Sequence, residues 1–232
     1  MNKNLNEAQE NMRSVIQRIA TGPELSKNIS RDEAKRSMSD ILNGEIDPVQ
    51  SAIFLIALRM KRETMDENLG VHDAIIETTT TIETACDSLI NIADPYDGFS
   101  RNLPSSIFIL PVIAELGIPI ISHGVFSVGP KYGCTHHLIL KELGYNSNNN
   151  HQEIVGRLEN KDIGWAYADQ SIFNPKLHNL MSLRKQIIKR PVITTVEVLV
   201  KPVSSKNDMF FTGFVHKPVS YTHLTLPTIY SV

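Results

Sequence analysis

The hydrophobic period of the chain changes once, near residue 85, and that change commits it to two successive kinds of architecture. Before it, apolar residues recur at helical spacing between explicit start and stop signals. Leu5, Met12, Val15, Ile16 and Ile19 fall near a 3.6-residue period, and Gly22-Pro23 ends the segment. Ser30-Arg-Asp-Glu33 reads as a capping box, the hydroxyl taking the Glu33 N–H while the carboxylate reaches back. It opens a helix bearing Ala34, Met38, Ile41 and Leu42, with Gly44 just past its end. Asp47-Pro48 predicts an N-cap followed by proline at the first helical position, where the missing N–H costs nothing. The segment from Val49 to Leu58 is apolar nearly all round and is expected at the centre of its bundle. Thr64-Met-Asp-Glu67 is a second capping box, leading through Ile75 and Ile76. Threonines 78–81 then end helical character, because β-branched side chains lose rotamer freedom in a helix.

From Leu89 the pattern becomes α/β. Short apolar runs at Leu89–Ala93, Ile118–Ile121, Ile163–Ala168, Val192–Val200 and Phe210–Val215 predict strands, several buried on both faces. Helical stretches are expected between them at Pro104–Leu116, Thr135–Leu143, His151–Leu158 and Pro175–Ile188. Such alternation predicts a mostly parallel sheet, whose ligands sit beyond the carboxyl ends of the strands. That directs attention to the loops after Ala93, Ile121 and Ala168. Asn146–Asn150 reads as a polar turn, and no internal repeat is visible.

With 232 residues the chain can bury a core without staples. Its longest nearly apolar stretch, Ile107 to Ala114, is too short to span a bilayer, and residues 1–12 lack the apolar run of a signal peptide. Two cysteines, Cys86 and Cys134, make neither a disulfide framework nor a four-ligand zinc site. A cytoplasmic protein is therefore expected, with no membrane partner. Charge is uneven: residues 1–130 hold 11 basic against 18 acidic side chains, a balance of −7, whereas residues 131–218 hold 12 against 7, a balance of +5. The basic part is consistent with an anionic ligand, phosphate or nucleic acid, and equally with attraction between the two parts.

Two stretches together carry a family resemblance. Ser30–Gly70, with its GE-x-DP-x-Q-x-x-x-FL-x-ALR core, resembles the helical N-terminal domain of anthranilate phosphoribosyltransferases and their glycosyltransferase family 3 relatives. Within Asp94–Gly144, the segment ELGIPIISHGVFSVGPKYG has the spacing of that family's AGxxVAKHGNRSVSSKSG, and Pro175–Pro202 follows the family's helix and strand after an acceptor-binding arginine. The resemblance implies a small N-terminal helical bundle (residues 1–85, the dimerisation domain) before an α/β phosphoribosyltransferase-like domain (86–218). It also implies a homodimer, Mg²⁺, and transfer of phosphoribosyl from phosphoribosyl pyrophosphate to an amine or aromatic nitrogen acceptor, as in tryptophan biosynthesis.

The implied site residues are altered ones. Asp94-Pro-Tyr-Asp-Gly-Phe99 occupies the place of the family's glycine-rich GTGGDG loop, so Asp94, Asp97 and Gly98 stand at the pyrophosphate position. The two aspartates can hold Mg²⁺ or simply build a tight turn. Ser106 matches a phosphate-binding serine at a helix start, or caps that helix. Ser122 replaces a phosphate-binding lysine, while His123 and Gly124 are kept. Lys131 and Gly133 match a lysine and glycine of the SSKSG segment and, with Gly129, can form an anion nest. His136 and His137 point about 100° apart on their helix, so they do not suit one metal. On the acceptor side, Asn174 falls on the family's histidine and Arg184 on its arginine, with Arg190 on a second. Arg184, Lys185, Lys189 and Arg190 also form a basic cluster suited to a nucleic-acid backbone. This supports the alternative of a non-catalytic paralogue that binds nucleic acid; a nucleoside phosphorylase-type activity is a third reading. Residues 219–232 have no counterpart in the family and resemble a translated sequencing adapter, which places the family's acidic metal-binding pair beyond this chain.

Overall fold

Four helices follow the punctuation of the first eighty residues: α1 (Glu7–Ile19), α2 (Arg31–Leu42), α3 (Pro48–Lys61) and α4 (Met65–Glu77). The computed structural model describes residues 6–22, 24–93, 95–102, 104–213 and 221–225. Both predicted capping boxes form, Ser30 with Glu33 and Thr64 with Glu67, and Asp47 caps α3 with Pro48 in its first turn. Two further boxes, Asn6 with Gln9 and Asn150 with Glu153, use asparagine as the cap. Gly44 takes φ +75° past the end of α2. Helices α2 and α4 meet closely at Gly70, where a Cβ would stand 2.7 Å from the Ala34 Cβ. Phe54, Leu55 and Leu58 of α3 are fully buried, but Val49 and Met60 are 66% and 76% exposed, so this helix has an open side rather than the enclosed place expected.

The rest of the chain adds strands β1 (Ile82–Glu83) and β2 (Ser88–Ala93), a 3-10 turn (Ser105–Phe108), α5 (Ile109–Glu115), β3 (Ile120–Gly124), α6 (His136–Glu142), α7 (His151–Glu159) and β4 (Trp165–Asp169). Four short helices follow, α8 (Gln170–Phe173), α9 (Pro175–His178), α10 (Met181–Ile187) and α11 (Ile193–Val196), then β5 (Val203–Ser204) and β6 (Asn207–Phe211). The main sheet is parallel throughout, in the order β4-β3-β2-β6, and β1 pairs in parallel with β5. A helical bundle followed by a parallel α/β sheet is the predicted fold class. One hydrophobic core runs from α1 (Met12, Ile19) through α3 (Phe54, Leu58) to the sheet (Leu89, Ile121, Ala168).

Two local expectations are corrected. Val192–Val200 is not a strand but α11 with a 3-10 turn at Glu197–Leu199. Its buried residues Val192, Ile193, Val196, Leu199 and Val200 lie at helical spacing, and that burial overrides the β preference of a valine-rich run. The single helix expected at Pro175–Ile188 is two, α9 and α10, separated at Asn179 and Leu180. Of the strand expected at Phe210–Val215, residues 210 and 211 belong to β6, while 214–215 lie outside the described residues. The same holds for the tail at 219–232 apart from 221–225, one helical turn whose His223 Nε2 lies 2.9 Å from the Thr195 carbonyl.

Candidate functional site

The carboxyl ends of β2, β3 and β4 open onto the loops singled out by the strand pattern. In register, Ala93, His123 and Ala168 stand side by side, with Gly124 beside Asp169. Beyond them, the loop leaving β2 and the loop leaving β3 are stitched together. Phe99 and Cys134 exchange both backbone hydrogen bonds, at 2.9 and 2.8 Å, and Gly133 N donates to the Asp97 carbonyl at 2.9 Å. Gly98 has φ +73°, and a Cβ there would stand 2.5 Å from the Gly133 carbonyl. Glycine is required on both sides of this contact. The Gly133 N–H is thereby used inside the fold, which removes one donor from the predicted nest of Gly129, Lys131 and Gly133.

Asp97 organises the charges here. Its buried carboxylate accepts from Arg190 Nε and Nη2 at 2.8 and 2.6 Å through Oδ2, while Lys131 Nζ lies 3.5 Å from Oδ1. Asp94 lies outside the described residues. Among those described, no three His, Cys, Asp or Glu groups are placed to hold a metal ion. Among the described residues, the Asp97 carboxylate is already committed to two cations.

Ser106, Ser122 and His136 form a second network, which includes Ser122 of β3. Ser106 Oγ lies 2.6 Å from His136 Nε2 and Ser122 Oγ lies 2.9 Å from Nδ1. The imidazole is fully buried, with Phe99 stacked on it, and burial lowers its pKa to about 4. A neutral ring has one N–H, so it donates to one serine and accepts from the other. His123 Nδ1 is 2.8 Å from the Tyr96 hydroxyl; burial, with His136 adding to it, lowers His123 to about 3. His137 faces a separate network, as adjacent helical positions should. Its Nε2 is 2.8 Å from Ser147 Oγ and its Nδ1 2.7 Å from Asp169 Oδ2. Burial pushes Asp169 up, but bonds from His137 and Ser171 outweigh it and hold the carboxyl below its usual value.

The acceptor-side residues are engaged elsewhere. Asn174 is buried; its Nδ2 donates to the Ile75 carbonyl, Thr78 and Thr79, and its Oδ1 caps α9 through Leu177 N at 3.0 Å. Arg184 is buried in a bidentate pair with Glu197, both contacts at 2.7 Å. The expected basic cluster is therefore split: Lys185 and Lys189 are exposed, Arg184 is buried, and Arg190 belongs to Asp97.

Beside His123, sequence reading missed two buried polar residues, Asn91 and Gln170. By strand alternation Asn91 and His123 lie on the face that Leu89, Ile121 and Ala168 turn to the large core. Both amide atoms of buried Asn91, both of buried Gln170, and His123 Nε2 have no hydrogen-bond partner among the described residues. An unpaired buried amide costs roughly 1–3 kcal/mol. The available signal was a lone asparagine in the otherwise apolar segment SLINIA.

A helical bundle followed by a parallel sheet, with Lys131 and Arg190 meeting Asp97 beyond β2, defines the class as an α/β protein. Comparison with known proteins then gives the family. Residues 13–79 match the glycosyl transferase family, helical bundle domain. The chain is 30% identical over 196 residues to an uncharacterized protein of Aquifex aeolicus, covering 83% of this chain and 56% of that one. It is 28% identical over 197 residues to the anthranilate phosphoribosyltransferase of Methanopyrus kandleri, covering 83% and 55%. The chain thus spans about half the length of the curated relatives it matches. The crystal structure of anthranilate phosphoribosyltransferase from Thermus thermophilus shares the fold with a TM-score of 0.73 at 17% identity, over 94% of this chain and 64% of that one. The Saccharomyces cerevisiae enzyme in complex with phosphoribosyl pyrophosphate and Mg gives 0.73 at 16%, over 97% and 64%. The helical bundle thus matches the glycosyl transferase family, and the chain is similar to anthranilate phosphoribosyltransferases over about half their length. No described helix is long and apolar enough to cross a membrane.

Proposed function

We propose that the protein is a phosphoribosyltransferase-like glycosyl transferase, holding a phosphoribosyl pyrophosphate-like ligand in the crevice beyond β2, β3 and β4. The observation that carries this reading is the convergence of Lys131 and Arg190, both half-exposed, at the strand ends. Lys131 supplies counter-charge, the Ser106 hydroxyl supplies a hydrogen bond at the start of its helical turn, and Gly124 lets a ligand approach the backbone. Departure of pyrophosphate from an oxocarbenium-like centre asks the protein mainly to position and to stabilise charge. The acceptor in this reading is an amine or aromatic nitrogen. Its recognition does not draw on Arg184 or Asn174, which the fold has already committed. A second copy would pair on the open side of α3 at Val49 and Ile53. The nucleic-acid alternative keeps only Lys185 and Lys189 of its cluster as exposed cations without a carboxylate partner among the described residues, so we do not favour it.

Calorimetry with phosphoribosyl pyrophosphate, with and without Mg²⁺, tests the proposal on the full-length protein. Saturable binding, lost in Lys131→Gln, is expected. No heat above dilution at millimolar ligand would overturn it.

A further inference from the structure

The loop after β2 places a buried carboxylate against the two cations that the proposed ligand needs. The Asp97 side chain is 4% exposed, yet Lys131 and Arg190 are 39% and 38% exposed. The carboxylate thus lies on the inner side of the cations, whose outer sides reach solvent. Its position is fixed by backbone: Gly133 N binds the Asp97 carbonyl, Gly98 N binds the Pro95 carbonyl at 2.6 Å, and Gly98 abuts Gly133 without room for a Cβ. Arg190 arrives from a segment 93 residues away, just beyond the C-terminal end of α10, the helix that the buried Arg184–Glu197 pair anchors. The trio carries a net charge of +1, where the two cations alone would carry +2. A multiply charged ligand must therefore compete with an anion that belongs to the protein and never diffuses away.

We propose that Asp97 is an internal counter-anion that sets how tightly this crevice holds an anion according to its charge, weakening without excluding the hold on a pyrophosphate group and weakening that on a single phosphate less, both taken on the outer side of Lys131 and Arg190. This rests on the phosphoribosyl reading of the same crevice, and makes Asp97 its specificity-determining residue. A charge-driven penalty grows with the charge of the ligand, so its removal favours pyrophosphate more than phosphate.

The test is a calorimetric titration of inorganic phosphate and inorganic pyrophosphate into the wild-type chain and Asp97→Asn at low ionic strength. The amide keeps the shape of the side chain and an oxygen for Arg190. Asp97→Asn is expected to bind pyrophosphate at least tenfold more tightly than wild type, with a smaller gain for phosphate. If Asp97→Asn fails to fold, Asp97→Ser carries the same expectation. Equal or weaker pyrophosphate binding by the folded variant overturns the proposal and leaves the phosphoribosyl reading standing. Absence of pyrophosphate binding in both proteins at millimolar ligand overturns the two together.

Discussion

The helix caps of the bundle and the side-chain pairs of the crevice are made over very different distances along the chain. In the bundle, Ser30 Oγ accepts from Glu33 N and Thr64 Oγ1 from Glu67 N, three residues away. In the crevice, Arg190 reaches Asp97 across 93 residues and Ser106 reaches His136 across 30. The contrast shows where freedom to vary lies. Local pairs build helices whatever ligand is bound, whereas distant pairs decide which groups remain available to a ligand.

The largest expected effect tests whether Arg184 belongs to the scaffold. Arg184→Ala leaves Glu197 buried and unpaired, and a loss of about 3–5 kcal/mol is expected in urea unfolding. Unchanged stability with weakened ligand binding would instead move Arg184 to the acceptor side.

Acid should weaken the crevice next. His136 and His123 titrate near 4 and 3 in the fold, below the usual imidazole value of about 6.5. The unfolded chain therefore takes up the proton first. Their contribution is complete above about pH 6.5 and is lost as pH falls toward 4, on the order of 2 kcal/mol per group by pH 5. Unfolding midpoints across that range check it, and His136→Asn should flatten the profile; an equally steep profile in the variant would break the assignment.

A smaller effect separates two glycines of similar φ. Gly44→Ala, with open space around it, should cost about 1–2 kcal/mol. Gly98→Ala carries the same backbone penalty and also pushes into Gly133, so its melting temperature should fall further. Equal shifts would mean that the two loops are not truly stitched. The smallest expected change is Ser30→Ala, about 1 kcal/mol by thermal unfolding, with no effect on phosphate binding.

The bundle was legible in the sequence because capping boxes, Pro48 at the start of α3 and Gly44 past the end of α2 act within one turn. Most of the order of strands and helices was legible for a similar reason, but not the break between α9 and α10, the short elements α8, β1 and β5, or Val192–Val200, whose residues satisfy a helical and a strand reading alike. The crevice was legible only in position. Sequence singled out Asp97, Lys131, Ser106 and His123 but could not show that Asp97 meets Arg190. Nor could it show that Arg184 turns inward to Glu197, or that Asn174 spends its amide on the end of α4. Asn91 and Gln170 gave almost no signal, since a buried polar residue is recognised by the partners it lacks.

By itself, then, the sequence determined the four bundle helices, the caps at Ser30, Asp47 and Thr64, and the parallel α/β class, because each follows from neighbours in the chain. Only tertiary structure decided which cations and hydroxyls still face the crevice. A charge separated from its partner by ninety residues has no local signature, and packing alone brings the two together.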